Sequence, residues 1–238
     1  MNKKLFIDLL VQNDIHLTEY QANQFQLYYN TLVEWNKKVN LTAITEENEV
    51  YLKHFYDSIT PSFFLPFHDV NTVCDIGAGA GFPSIPLKIC FPHLHITIVD
   101  SLKKRVHFLE YLVELLQLTN VKLVHSRAED FGQKKANREK FDVVTARAVA
   151  KMAVLAEYCL PVCNIGGMFI SLKGMNIDEE LKQAKKAIRV LGGEIVENKE
   201  FLLPIEKSER SIVLIKKVSK TMKVYPRKAG TPAKNPIT

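Results

Sequence analysis

The stretch Val73–Ile89, VCDIGAGAGFPSIPLKI, decides how this chain is read. An apolar run ends in Asp75, glycines follow at 77, 79 and 81, and an apolar helix opens near Pro83. Glycine at such positions permits positive φ and lets a ligand approach the backbone. Dinucleotide folds use a similar turn spaced GxGxxG, but the residue where that third glycine belongs is Phe82. Asp75 discriminates further, because a carboxylate beside the loop repels a pyrophosphate and attracts the ammonium and sulfonium of S-adenosylmethionine. Asp75, Gly77 and Gly79 therefore read as a loop for the methyl donor in preference to NAD.

Downstream, HITIVD ends in Asp100, where a carboxylate can accept both ribose hydroxyls of an adenosine. Its competing role is to cap the next helix, a task Ser101 can also perform. After a third apolar run, SRAEDF puts Ala128 and Glu129 at the carboxyl edge of the sheet, against the adenine. Short apolar runs alternate with amphipathic helices from residue 70 onward, which means an α/β fold with a parallel sheet covered on both faces. The last two runs, 193–202 and 210–218, are separated by PIEKSER and leave no room for a crossover helix. They predict a terminal β-hairpin with one antiparallel strand, the Rossmann-like pattern of the class I methyltransferases. Phe25, Tyr28, Tyr29, Leu32, Val33 and Val39 recur at helical steps before NLT breaks the pattern, so an N-terminal helical cap precedes the core. The expected divisions are a cap over 1–66, a core over 67–218 and a basic tail over 219–238. Tyr28, Tyr29 and Trp35 read as core residues of that cap.

With 238 residues, 47% of them hydrophobic, the chain can bury one large core. No apolar run reaches the roughly 18–20 residues of a membrane span, and Asp8, Gln12, Asn13 and Asp14 break the first segment too early for a signal peptide. A cytoplasmic protein with no membrane partner is expected. Cys74, Cys90, Cys159 and Cys163 form no CxxC pair and read as reduced core residues, the last two on one apolar helix. Charge is sharply localised. Eight Lys/Arg follow Glu209, the last acid, so the whole net charge of +6 lies in the C-terminal segment. Such a strip suits polyphosphate contact by a partly extended tail, and a solvated end explains it equally well.

These motifs closely resemble the glucose-inhibited division protein B family, the bacterial 16S rRNA guanine N-7 methyltransferases. The likeness runs through WNKKVNLT, HFYDSI, DIGAGAGFPSIPL, VDSLKKRVHFL, SRAEDF, DVVTARAVA, SLKG and YPRKAGTPAKNPI, in that order. It implies S-adenosyl-L-methionine as cofactor and 16S rRNA or the small ribosomal subunit as partner. It also implies a donor site at Gly77, Phe82, Ala128, Glu129 and Arg147, and methylation of one guanine in the decoding-region loop.

Guanine N-7 carries a lone pair and no proton, so its methylation is an in-line displacement that requires no base and rests on positioning. Arg147 is the one catalytic candidate. The chain agrees by what it lacks: VVTARAVA stands where an amine methylase would show a DPPY-like loop, and the site has no loop cysteine for attack at pyrimidine C-5. Arg127, Arg147, Lys173 and Arg210 lie near strand ends, where they can bind RNA or pair with acids. With Lys223, Arg227 and Lys228 they form the candidate RNA surface, and removal of 219–238 is expected to weaken RNA binding while leaving donor affinity intact. His54, Asp57 and Ser58 lie against the donor pocket or serve as a helix face or cap. Two rival functions remain at this stage, a NAD-dependent oxidoreductase and a non-catalytic RNA-binding assembly factor. No metal site and no obligate protein partner is read.

Overall fold

The structure is a computed structural model and describes residues 1–174 and 177–237; Thr238, the last residue of the expected tail, lies outside the described residues. Its first helices are α1 (Lys3–Val11) and α2 (Glu19–Val39). Thr18 and Gln21 form a reciprocal capping box at the start of α2, satisfying backbone donors that the first turn leaves free. Asn40 ends the helix in the left-handed region at φ 47°, and Asn36 Oδ1 accepts the Leu41 and Thr42 amides. A helical run then passes through α3 (Glu47–Glu49), a π-helical segment Val50–Tyr56 and α4 (Asp57–Ile59).

The core alternates β1 (Thr72–Ile76), α5 (Ser84–Cys90), β2 (His95–Asp100), α6 (Lys103–Leu115), β3 (Val121–His125), α7 (Ala128–Gln133), β4 (Phe141–Arg147), α8 (Met152–Cys159), β5 (Cys163–Lys173) and α9 (Asp178–Val190). It closes with β6 (Gly193–Leu202) and β7 (Glu209–Lys217), followed by a short α10 (Thr231–Lys234). The sheet order is β3-β2-β1-β4-β5-β7-β6, with β7 antiparallel to both of its neighbours and the other pairings parallel. The class I methyltransferase topology expected from the sequence is therefore present, terminal hairpin included. One expectation needs correction. Cys159 ends α8 but Cys163 opens β5, because Leu160–Val162 turn the chain between them.

Alternation along each strand divides the core in two, since successive side chains leave opposite faces of a sheet. Val73, Ile98, Val143 and Ile170 point to one face, where α5, α6 and the cap pack. Their neighbours Cys74, Val99, Val144 and Phe169 point to the other, beneath α7, α8 and α9. The cap joins the first layer through an aromatic cluster in which Phe6, Phe25, Tyr28 and Phe55 are all fully buried or nearly so. Burying each such side chain is worth roughly 1.5–3 kcal/mol, which fixes the cap against the sheet edge that carries the loops.

The segment after β7 is tied down. Lys217 is buried, and its ammonium donates to the carbonyls of Leu160 at 2.9 Å and Leu191 at 3.0 Å and to the Thr221 hydroxyl. Burial lowers its pKa to about 8, with the Glu139 carboxylate opposing the shift. Arg138 donates to the carbonyls of Thr221 at 2.9 Å and Tyr225 at 2.5 Å. Among the described residues no helix is long and apolar enough to cross a membrane.

Candidate functional site

The glycine loop leaves β1 with Gly77, Gly79 and Gly81 all at positive φ, the conformations that their absent side chains permit. A β-carbon on Gly77 would lie 2.7 Å from Val149 Cγ2, whereas one on Gly79 would meet nothing within 4 Å. A β-carbon on Gly81 would likewise lie 2.7 Å from Ile85 Cγ1, so the loop is packed tightly at both ends and open only at Gly79. Asp100 steadies it: one carboxylate oxygen accepts the Gly79 amide at 3.1 Å and the other accepts the Leu102 amide at 2.8 Å. Tyr28 of the cap holds the same loop from the far side, its hydroxyl donating to the Ala80 carbonyl at 2.5 Å.

Beside the loop lies a cavity of about 250 Å³ at the carboxyl edge of the sheet. Gly77, Ser101, Ala128 and Glu129 line it, with Val149 and Ala150 from the segment after β4. Tyr158 of α8 also borders it, its phenol pushed up to about 12 by burial first and then by the Glu129 charge. The Gly77 backbone, the hydroxyls of Ser101, Ser126 and Tyr158 and the buried Glu129 carboxylate fit an adenosyl group well.

A second cavity, of about 340 Å³, opens where the cap meets the ends of β4 and β5. At its heart the Asp57 carboxylate accepts from Arg147 Nη1 at 3.2 Å and from Arg210 Nε at 3.1 Å. Burial pushes the Asp57 carboxyl up from its ordinary range, and the two guanidiniums pull it back down. His54 stacks on Phe82 at 4.6 Å and meets the Thr42 hydroxyl at 2.8 Å. Burial, reinforced by Arg147, lowers its pKa to about 3, so the ring is neutral at neutral pH. Arg147 also lies over the Phe82 ring, 4.8 Å from its centroid. The two cavities share a wall: Arg147 and Ala148 face the second, Val149 and Ala150 the first.

A sheet edge with a glycine-cradled cavity next to a cation-lined one suits group transfer, and comparison with known proteins identifies the family. The profile described as "rRNA small subunit methyltransferase G" (GidB) matches residues 21–217. The chain belongs to the GidB family. Relatives named "Ribosomal RNA small subunit methyltransferase G" from Bacillus velezensis and Bacillus subtilis are 59% and 58% identical, each aligned over the whole chain and 99% of its own length. Solved structures share the fold at low identity. A SAM-dependent methyltransferase from Leishmania major superposes with a TM-score of 0.56 at 14% identity, covering 79% of this chain and 83% of its own. M. jannaschii TYW2 in complex with AdoMet gives 0.52 at 14% identity, covering 68% and 77% respectively. As a GidB member the protein is an S-adenosylmethionine-dependent methyltransferase.

Within this GidB chain the residues singled out from sequence take distinct places. Gly77, Ala128 and Glu129 meet on the first cavity, and Arg127 joins them at its rim. Asp75 is wholly buried beneath the loop. Its Oδ2 accepts the Ser84 amide at 3.2 Å, its Oδ1 has no partner, and burial raises its pKa to about 7. It braces the start of α5 and does not line the cavity. Asp100 is nearly buried and braces the amides of Gly79 and Leu102, but it does not cap α6, whose first turn takes no side-chain cap. Arg147 lines the second cavity, its guanidinium over the ring of Phe82, which is buried and lines neither cavity.

The expected RNA cations differ more. Lys173 and Arg210 border the second cavity, Lys173 pairing with Glu180 at 2.6 Å. Lys223 and Lys228 are exposed, but Arg227 is clamped on the buried Glu157, with Nη2 to Oε2 at 2.7 Å and Nε to Oε1 at 2.9 Å. Val149, Ala150, Tyr158 and Ala233 border the first cavity without having been anticipated. Their residue types carry no chemical signal, and only the chain path brings them there. Asp57, expected against the donor pocket or on a helix face, instead lines the second cavity, and its pairing with arginines 90 and 153 residues away cannot be read from the sequence.

Proposed function

We propose that this protein methylates N-7 of one guanine in the decoding-region loop of 16S rRNA, in the cytoplasm, with the acceptor base held in the second cavity. The observation that carries the reading is the shared segment: of four consecutive residues, Arg147 and Ala148 line a cationic cavity and Val149 and Ala150 a donor-type one. The name of the Bacillus relatives supports rRNA as the acceptor class.

S-adenosylmethionine, held at Gly77, Ala128 and Glu129, would supply a methyl carbon activated by its sulfonium, and guanine N-7, which bears a lone pair and no proton, would need no base to accept it. The chain's own residues are then required to position the base and keep its lone pair free. A loose arginine would grasp the O-6 and N-7 edge of guanine and block the nucleophile. Asp57 prevents this by engaging both Arg147 and Arg210. His54, kept neutral by burial, adds no competing acid. The exposed lysines of the C-terminal segment supply sequence-independent phosphate contact. In this reading labour is divided among a cap over 1–66, a core over 67–218 and the segment from 219 onward.

The test is transfer of a radiolabelled methyl group to small-subunit particles and to free 16S rRNA, followed by mapping of the modified base. A single 7-methylguanine is expected. A methylated pyrimidine or an exocyclic amine would overturn the mechanism.

A further inference from the structure

The segment after β7 reads in the sequence as an RNA contact, yet its path reaches the first cavity, which Ala233 helps to line. Arg138 holds the carbonyls of Thr221 and Tyr225, and Gln133 donates to the Pro226 carbonyl. The Arg227 guanidinium and amide then close on Glu157, which is 0% exposed. These fixed points deliver Gly230 to Glu129. At φ 82°, in the left-handed region that glycine favours, its amide donates to Glu129 Oε1 at 2.8 Å. Three residues on, Ala233 forms part of the cavity lining, and Pro232 beside it is buried.

Glu129 is 3% exposed, and a buried carboxylate takes its orientation from the donors around it. Bonds from N–H to an ionised oxygen are among the stronger ones available. We propose that residues 230–234 are a wall of the donor site, with the Gly230 amide as the positioning group that sets Glu129 for the adenosyl moiety. One segment therefore serves both substrates: its outward lysines face nucleic acid and its inner edge completes the donor cavity. The inference rests on the donor assignment and is independent of which base accepts the methyl group.

Truncation after Lys228 removes Gly230 and Ala233 but keeps Arg138 on its carbonyls and Arg227 on Glu157, Arg227 losing only its bond to the Asn235 carbonyl. Calorimetry should show the dissociation constant for S-adenosylmethionine rising about tenfold, a loss of ~1.4 kcal/mol. Glu129→Gln in the full chain should also weaken the donor, and truncation in that background should add less than about a twofold further loss. Without any donor present, hydrogen exchange at the Gly230 amide should accelerate at least about tenfold in Glu129→Gln, a readout that stands even if the truncated chain folds poorly. Donor affinity unchanged by truncation, multiplying losses, or Gly230 exchange indifferent to residue 129 would each overturn the proposal. Failure of the intact protein to bind the donor would instead defeat the donor assignment itself.

Discussion

Gly77 and Val149 meet so closely that a β-carbon on the glycine would sit 2.7 Å from Val149 Cγ2. The contact joins the loop after β1 to the segment after β4, both of which line the first cavity, the proposed donor site. Gly77→Ala adds that carbon in a left-handed conformation at φ 76°, a strain of about 1–3 kcal/mol. Donor affinity measured by calorimetry should fall roughly ten- to a hundredfold. Adding Val149→Ala removes the collision but not the backbone strain, so the double variant should recover part of the loss. Ordinary affinity in Gly77→Ala alone would show that the loop has slack.

Asp57 joins Arg147 and Arg210 in the second cavity, so Asp57→Asn keeps the shape and removes the charge that engages them. Breaking a buried pair this way costs about 3–5 kcal/mol where the partner stays buried. Methyl transfer to small-subunit particles should drop by about a hundredfold or more, with donor affinity within about threefold of normal. A parallel fall in donor affinity would assign the Arg147 guanidinium to the first cavity after all.

Two buried groups bias the pH dependence of stability in opposite directions. Asp75 has its pKa raised to about 7 by burial, so its contribution is full below the ordinary value near 3.8 and is lost as pH rises through 7. His54 is lowered to about 3 by burial, so its contribution is full above 6.5 and is lost as pH falls toward 3. Between about pH 4 and 6.5 the two slopes, each up to ~1.4 kcal/mol per pH unit, oppose one another. Urea midpoints of the donor-free protein should therefore rise with pH in Asp75→Asn and fall with pH in His54→Gln. Slopes of the same sign in the two variants would refute the assignment.

The glycine spacing, the acids at 75 and 100 and the terminal hairpin are legible in the sequence because each is a local pattern with a local cause. What the sequence does not reveal is which partner each charged group finds. Asp100 turns toward the amides of Gly79 and Leu102, and Asp75 inward to Ser84, choices made by the path of the loop. Cys163 reads as helical because an apolar run has no distinguishing period once a turn interrupts it. Gly230 meets Glu129 across 101 residues, and nothing in KAGTPAK announces it.

The tail cations separate into two kinds, although in the sequence they form one group. Lys223 and Lys228 are exposed, so replacing both with Gln should leave stability within about 0.5 kcal/mol. It should reduce the salt slope of RNA binding by about 0.7–0.9 for each phosphate that is no longer neutralised. Arg227 instead neutralises the buried Glu157 through Nε and Nη2, with its own amide on the same carboxylate. Arg227→Gln leaves that carboxylate under-compensated and should cost about 1–3 kcal/mol in urea unfolding. Because the same clamp delivers Gly230, this variant should also weaken the methyl donor, which the double lysine variant should not. Binding isotherms for RNA and donor, taken across a salt series for both variants, separate the two roles. If Arg227→Gln altered only the RNA slope, the clamp would be incidental to the donor site.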